Sequence, residues 1–410
     1  MPNSLSRRTF LTRSAAIGCS AAASPLLTPV SFASVPTDNR LVIIILRGAM
    51  DGLDVVRPVG DPDYAVLCPT LLRGDAQSRD LDGFFALHPA LDPLMPLWRT
   101  GELGFVHAVS TPYRNKRSHF DGQDHLEAGL GASSMETARD GWLNRAIGAL
   151  PGAEADTAFA LDRGSMLLTA GEAPISQWAP DADLVMSAQA QRLLEMVVHD
   201  DPMFRDAFAR ALTLADNDGD PVAFTGGRGA MIKTIMADQR GQRRGKRHLK
   251  VPAFAAERLR GDTRVAAFSI AGWDTHAKQA RALPGGLKRL AEALTTLRDG
   301  VGPDIWGKTT VLAMTEFGRT ARENGTGGTD HGTGGMMFLA GGAVRGGRVY
   351  GQWPGLTETD LFDRRDLMPT GDVRNYVAWA LKSALGLDRA TLETRVFPGL
   401  DMGQDPGIIL

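Results

Sequence analysis

The sequence predicts an α/β fold, a three-layer α/β/α sandwich around a mostly parallel central sheet, with a helical insertion. Three observations predict it. Several short runs are continuously apolar, as strands buried on both faces are. The stretch between two of them repeats leucine at helical spacing. Strand, helix, strand is also the order that parallel neighbours need, because each must be reached by a crossover.

The runs follow in chain order. "LVIIIL" (Leu41 to Leu46) is the first and most apolar, and "LGFVHAV" (Leu103 to Val109) the second. "VAAFSI" (Val265 to Ile270), "TTVLAM" (Thr309 to Met314) and "MMFLA" (Met336 to Ala340) complete the set. Between the third and fourth, "GGLKRLAEALTTLRDG" places Leu287, Leu290, Leu294 and Leu297 on one helical face. A second amphipathic helix is expected over Asp372 to Leu385. The middle, about residues 182 to 258, differs: it reads as helical in pattern, with "GQRRGKRHLK" as a basic, solvated turn, and is expected to be an insertion over the sheet. No internal repeat is visible.

The amino terminus reads as an address. "SRRTFLT" (Ser6 to Thr12) is a twin-arginine export signature, followed by "SAAIGCSAAASPLL", which is too short and too weakly apolar to span a bilayer. "SFA" (Ser31 to Ala33) supplies the small residues a signal peptidase reads, so residues 1–33 are expected to be removed and 34–410 to form the mature domain. The expected partner is the twin-arginine export machinery and the expected location the periplasm or beyond, with no membrane span after cleavage.

Charge excludes several classes. The chain has 45 basic and 47 acidic residues; losing Arg7, Arg8 and Arg13 with the signal makes the mature balance 42 against 47. Nothing here suits nucleic acid or an anionic membrane surface. Of the two cysteines, Cys19 leaves with the signal and Cys68 remains alone, so no internal disulfide can form.

Ligands of open parallel sheets bind beyond the carboxyl ends of the strands. After "LVIIIL" come Asp51 and Asp54; after the second run come Ser118, His119, Asp121 and Asp124. "VAAFSI" leads into "AGWDTH" with Asp274 and His276, and "TTVLAM" into "TEFGRT" with Glu316 and Arg319. "GTDHGTGG", with Asp330 and His331, precedes the last run. Carboxylates and imidazoles together make an oxygen and nitrogen ligand set suited to zinc, manganese, magnesium or calcium. Plainer roles compete: Asp51 before Gly52 suits a turn cap, and Asp274 with His276 suits an Asx-turn. Glu316 leaves a buried strand, where an unpaired carboxylate costs several kcal/mol, so a metal or Arg319 is its expected partner. His88 reads as a packing histidine, and His199 and His248 as structural or solvated.

In this order "LRGAMDGLDVV", "LHPAL", "RSHFDGQDHLEAG", "GWDTH", "TEFGRT" and "GTDHGTGGMMFLAGGAVRGGRVYG" resemble the exported bacterial family called domain of unknown function 1501, related to the alkaline phosphatase and sulfatase superfamily. The resemblance implies an alkaline phosphatase-like sandwich and a divalent metal held by Asp51, Asp274, His276, Glu316 and His331. It also implies that Asp330 either ligates or accepts a hydrogen bond that orients the imidazole. Two positions depart from the superfamily pattern. Glu316-Phe317 stands where Asp-His is usual, which removes one ligand, and Asn115 stands four residues before His119, where the nucleophile is usual. An amide cannot form the covalent intermediate, and Ser118 is the hydroxyl within the motif.

The expected activity is hydrolysis of phosphate or sulfate esters by a metal-dependent exported enzyme, on a small anionic ester. Ser118 or a metal-bound water would attack, and Arg117 or Arg319 would neutralise the anion. The rival expectation is a catalytically silent, metal-stabilised scaffold or binding protein of the same fold.

Overall fold

The computed structural model describes residues 37–72, 78–114, 117–131, 139–162, 166–179 and 247–410. The expected signal segment, Asn115 and most of the expected insertion, residues 182–246, lie outside the described residues.

A nine-stranded sheet organises the described chain. In chain order its strands are β1 (Arg40–Arg47), β2 (Leu103–Ser110), β3 (Ala158–Leu161), β4 (Ser176–Trp178), β5 (Val265–Ala271), β6 (Thr309–Met314), β7 (Gly335–Ala340), β8 (Val349–Tyr350) and β9 (Gly371–Asp372). Across the sheet the order is β8-β2-β7-β6-β1-β5-β3-β4, with β9 also on β2. β1 lies between β5 and β6 and pairs with both in parallel, Ile43 aligning with Ala267 and Leu312. β7 alone among the longer strands is reversed, antiparallel to β2 and to β6. Its amino end therefore shares an edge with the carboxyl ends of β1, β5 and β6.

The alternation of side chains along β1 separates two cores. Val42, Ile44 and Leu46 face one, Leu41, Ile43 and Ile45 the other, and all are fully buried. Four helices cover the faces or frame the site: α1 (His119–Ala128), α2 (Lys250–Leu259), α3 (Gln279–Val301) and α4 (Val373–Leu385). α3 packs Leu283, Leu287, Leu290, Leu294 and Leu297 on the first face beside Phe254 and Leu259 of α2. Each buried leucine contributes about 1.5–3 kcal/mol. α4 packs Val377, Ala380 and Leu381 on the second, beside Trp142 and Phe397. Helices on both faces make the three expected layers.

The expected helix over 372 to 385 starts one residue later, because Asp372 caps it by accepting from Arg374 N, and Gly386 ends it in the left-handed region. The carboxyl end of the expected insertion is no loose appendage: α2 contributes Phe254, Ala255, Ala256 and Leu259 to the core. His88 is a packing residue, its Nδ1 accepting from Ala90 N at the start of a 3-10 turn. Among the described residues no helix is long and apolar enough to cross a membrane.

Candidate metal centre

Four segments meet at the edge where β1, β5 and β6 end and β7 begins. Gly48 follows β1 with φ +120°, and a Cβ there would lie 2.7 Å from Asp274 N, so the close approach of the β1 and β5 ends requires glycine. A Cβ on Gly328 would strike the Thr275 carbonyl, which is how the glycine-flanked Asp330-His331 stretch lies against the β5 end. Backbone bonds from Gly332 N to Gly318 O (2.8 Å) and Thr320 N to Asp330 O (2.9 Å) stitch that stretch to the β6 end. A fifth segment, α1, joins them and opens at His119 under the cap of Ser118.

The ring nitrogens can be assigned from their partners. His331 Nδ1 faces the Arg117 carbonyl oxygen at 2.8 Å, which only accepts, so Nδ1 carries the proton and Nε2 a lone pair. His276 Nδ1 faces Asp330 Oδ1 at 3.1 Å, and His119 Nδ1 faces Glu316 Oε1 at 2.8 Å, with the same result. The Nε2 atoms of His276 and His331 meet beside Asp274 Oδ1, and that of His119 faces the other oxygen of the same carboxylate. His276 Nε2 and His331 Nε2 are 2.9 Å apart. Asp274 Oδ1 lies 3.0 Å from the first and 3.4 Å from the second. His119 Nε2 lies 3.4 Å from Asp274 Oδ2 and, though buried, has no hydrogen-bond partner.

Lone pairs and a carboxylate at such distances repel unless a cation lies among them. A proton shared by His276 and His331 answers for that pair and leaves His119 Nε2 at 3.4 Å from Asp274 Oδ2 without a hydrogen bond; an ion among His119, Asp274 and His331 would answer for it. The donor atoms of His119, Asp274 and His331 fall within 4.8 Å of one another. Donors on a tetrahedral ion with bonds of about 2.1 Å stand about 3.4 Å apart, so the spread fits a single ion with modest closure. The outward nitrogens are held by Glu316, Asp330 and the Arg117 carbonyl, an arrangement that fixes tautomer and orientation around metals.

The charges are tuned to match. Burial pushes the Asp274 carboxyl up, but the hydrogen bond and charge of Arg319, with His276 and His119, outweigh it and hold it below the usual range. Burial likewise acts against Glu316, and the bonds from His119, Gly48 N and Gln123 keep it ionised and below its usual value. The Glu316 bond raises His119 against burial, whereas burial lowers His331.

The family described as Protein of unknown function (DUF1501) matches residues 92–387. The chain belongs to this family. Among curated proteins no sequence is significantly similar. The solved structures it resembles include the lipoteichoic acid synthase LtaP from Listeria monocytogenes, at 9% identity and TM-score 0.36, over 90% of this chain and 77% of that one. Another is alkaline phosphatase from the Antarctic bacterium TAB5, at 11% and 0.33, over 77% and 94%. A third is the C-terminal periplasmic domain of EcEptC from Escherichia coli, in complex with Zn, at 8% and 0.29, over 74% and 72%. At such TM-scores the likeness carries no functional argument.

Of the residues expected to bind metal, this DUF1501 chain brings Asp274, His276 and His331 together and places two elsewhere. Glu316 is fully buried behind His119, accepting from its Nδ1, from Gly48 N (2.9 Å) and from Thr315 Oγ1 (2.9 Å). It stands behind His119 rather than beside Asp274 and His331, and its partner is not Arg319. Asp51 is buried too: Oδ1 caps a short helix through Leu53 N and Asp54 N, and Oδ2 accepts from Gln279 Nε2 at 2.7 Å. The turn-cap role is the one it fills.

Arg319 does not face an open space. Its Nε donates to Ala49 O, Nη1 to Thr329 O, and Nη2 to Gly48 O, Trp273 O and Asp274 Oδ1 (2.6 Å), all in the interior. Arg117 holds His331 by its carbonyl, while its guanidinium lies 3.7 Å from Asp366 Oδ2 and is part exposed. Ser118 Oγ accepts from Asp121 N at 3.4 Å.

The residue whose part sequence reasoning missed is His119, noted at a strand end and used only to count back to Asn115. A signal was present: His119 and Gln123 are four apart, one helical face, and both reach Glu316. Phe317, where the superfamily pattern has His, is buried and stacks on the His119 ring at 5.3 Å. Asp330 accepts from His276, not from its neighbour His331.

Proposed function

We propose that this protein is an exported, metal-dependent hydrolase of phosphate or sulfate esters, with a single divalent ion held by His119, Asp274, His276 and His331. One observation carries the reading: the Nε2 atoms of His119, His276 and His331 gather around Asp274, and although Arg319 Nη2 donates to that carboxylate, no other described side chain donates to the nitrogens. The imidazole-rich set suits zinc better than manganese, magnesium or calcium. A bound ion would supply positive charge to polarise an ester oxygen and to acidify the attacking hydroxyl or water.

The chain's own residues do the rest. Asp274 and His276 are 44% and 43% exposed against 23% for His119 and 18% for His331, so an ester enters over the first pair. Arg117 is the cation that meets the anion, because its guanidinium is 39% exposed and only loosely paired, whereas Arg319 is consumed by Asp274 and four carbonyls. Glu316, Asp330 and the Arg117 carbonyl keep each Nδ1 protonated and each Nε2 bare. Ser118 or a water attacks the phosphorus or sulfur, the bond to the leaving oxygen breaks and the alcohol departs with the proton the attacking group gives up; an ester formed on Ser118 is then cleaved by water. The amino-terminal twin arginines take the chain to the periplasm.

A second reading, the catalytically silent metal-stabilised scaffold, is favoured by one observation: the Ser118 hydroxyl is engaged as a helix cap. Elemental analysis of the purified mature protein, then a panel of aryl phosphate, phosphodiester and sulfate esters, separates the two. Metal with hydrolysis supports the enzyme, metal without hydrolysis the scaffold, and no metal removes both. Loss of hydrolysis in Ser118→Ala identifies the hydroxyl as nucleophile; retention identifies water.

A further inference from the structure

Beneath the converging side chains lies a second polar network, centred on Gln279, the first residue of α3 and fully buried. Its Nε2 donates to Asp51 Oδ2 at 2.7 Å and to Asp54 Oδ2 at 2.9 Å. Its Oε1 faces Thr275 Oγ1 and Thr329 Oγ1, both at 2.8 Å, and Thr329 Oγ1 also lies 3.0 Å from Asp51 Oδ2, so that its single proton is divided between the two. The amide can face only one way, since the reverse would set its oxygen against two carboxylates. Both N–H groups and both lone pairs are thereby used.

The partners are not arbitrary. Thr275 stands between Asp274 and His276, and Thr329 immediately precedes Asp330 and His331. One amide thus ties together the two loops that carry three of the four metal-facing side chains and the carboxylate that orients His276. The far side of the amide is anchored twice. Asp51 is held by the amides of Leu53 and Asp54, and Asp54 by Arg57 Nη2 at 2.6 Å in the interior. Backbone bonds run alongside, from Gln279 N to Gly327 O (2.8 Å) and Thr329 N to Thr275 O (3.3 Å). The second is long, so the side-chain link is the tighter one.

We propose that Gln279 is the positioning residue of the metal centre: by spanning Thr275 and Thr329 it sets the spacing of the two loops, and so the 2.9 Å separation of His276 Nε2 and His331 Nε2. The inference rests on the metal-binding reading of the site. It also gives Asp51 and Asp54 a shared role, since both accept from the same amide nitrogen.

The test compares metal affinity with stability in the full mature chain, using zinc in competition with a chromogenic chelator. Gln279→Met keeps length and burial but makes none of the four bonds. It is expected to bind zinc about 10- to 100-fold more weakly, as loss of supporting bonds behind metal ligands does. Leu297→Ala, at the far end of the same helix, is the control: it lowers the melting temperature by opening a cavity and leaves zinc affinity unchanged. Thr275→Val, which cuts only the bond to Gln279, weakens binding less than Gln279→Met, whereas Thr329→Val also cuts the contact to Asp51; the losses of Thr275→Val and Gln279→Met do not add in the double variant, because both cut one link. The two threonine variants carry the test if Gln279→Met fails to fold.

A Gln279→Met protein that melts lower yet binds zinc like the wild type overturns the proposal. If the wild type binds no zinc, the metal reading fails, and the ring 15N resonances of His276 and His331 in the metal-free chain decide about Gln279. They are expected to move in Gln279→Met and stay in Leu297→Ala; unmoved resonances overturn the positioning role.

Discussion

Replacing Glu316 by glutamine separates a metal ligand from a residue that orients one. The side chain is fully buried and its Oε1 accepts from His119 Nδ1 (2.8 Å), Gly48 N (2.9 Å) and Gln123 Nε2 (3.3 Å), while Oε2 accepts from Thr315 Oγ1, whose hydroxyl also lies 2.8 Å from Leu46 O. An amide fits the same space with its oxygen in the Oε1 place and its NH2 toward Thr315 Oγ1, which then donates to Leu46 O. The contacts survive and only the charge goes. A hydrogen bond to a charged group is worth about 1.5–3 kcal/mol and a neutral one about 0.5–1.5, so the His119 bond loses roughly 1–1.5 kcal/mol. That loss falls on the basicity and orientation of Nε2. It corresponds to about tenfold weaker metal binding. Stability is expected to fall modestly as well, since the fold holds this carboxylate below its usual range and so gains from its charge. Asp274→Asn, which takes away a group facing the ion and leaves buried Arg319 without its carboxylate, is expected to cost far more. Isothermal titration of the metal-free proteins with zinc measures both. Equal losses in Glu316→Gln and Asp274→Asn would make Glu316 a direct ligand, and no loss at all would remove its role; either result refutes the assignment.

Three further outcomes are expected. Arg117→Ala and Arg117→Gly both retain the carbonyl that holds His331, and glycine also relieves the left-handed backbone at φ 52°, so both bind metal normally while ester hydrolysis falls about a hundredfold; loss of metal from both would contradict the division between carbonyl and guanidinium. Burial lowers His107 and His88 to about 4 from 6.5, so each stays neutral in the fold while the unfolded chain takes up a proton. Their contribution is complete above pH 6.5 and is lost as pH falls toward 4, by up to about 1.4 kcal/mol per pH unit for each, and urea unfolding at pH 6 and pH 5 should show a shallower slope for His107→Gln than for the wild type. Replacing Arg7 and Arg8 with lysine should stop the appearance of mature protein beginning at Ser34 in the periplasm, as cell fractionation would reveal; undiminished export contradicts the address.

The strands were legible because their burial on both faces leaves a continuous apolar run, and α3 because leucine recurs at helical spacing; neither signal depends on which element lies alongside. The types of side chain at the site were legible for a related reason, since strand ends are where a parallel sheet exposes polar groups, and Asp274, His276 and His331 were found that way. What the sequence by itself could not determine was direction. Asp51, Asp274 and Glu316 are all carboxylates just past apolar runs, yet Asp274 faces the centre, Glu316 stands behind His119, and Asp51 turns toward Gln279. Which way each points depends on partners 197 and 228 residues away in two of the three cases, and no local period encodes those. The reversal of β7 is of the same kind: only its pairing with β2 and β6 brings the segment before it to the edge reached by the ends of the others. His119 completes the set from a helix, because packing against Phe317 and the bond to Glu316 turn its ring inward. The sequence determined which chemistry could gather, and the tertiary structure decided which atoms face one another, because orientation is fixed by through-space contacts and not by position along the chain.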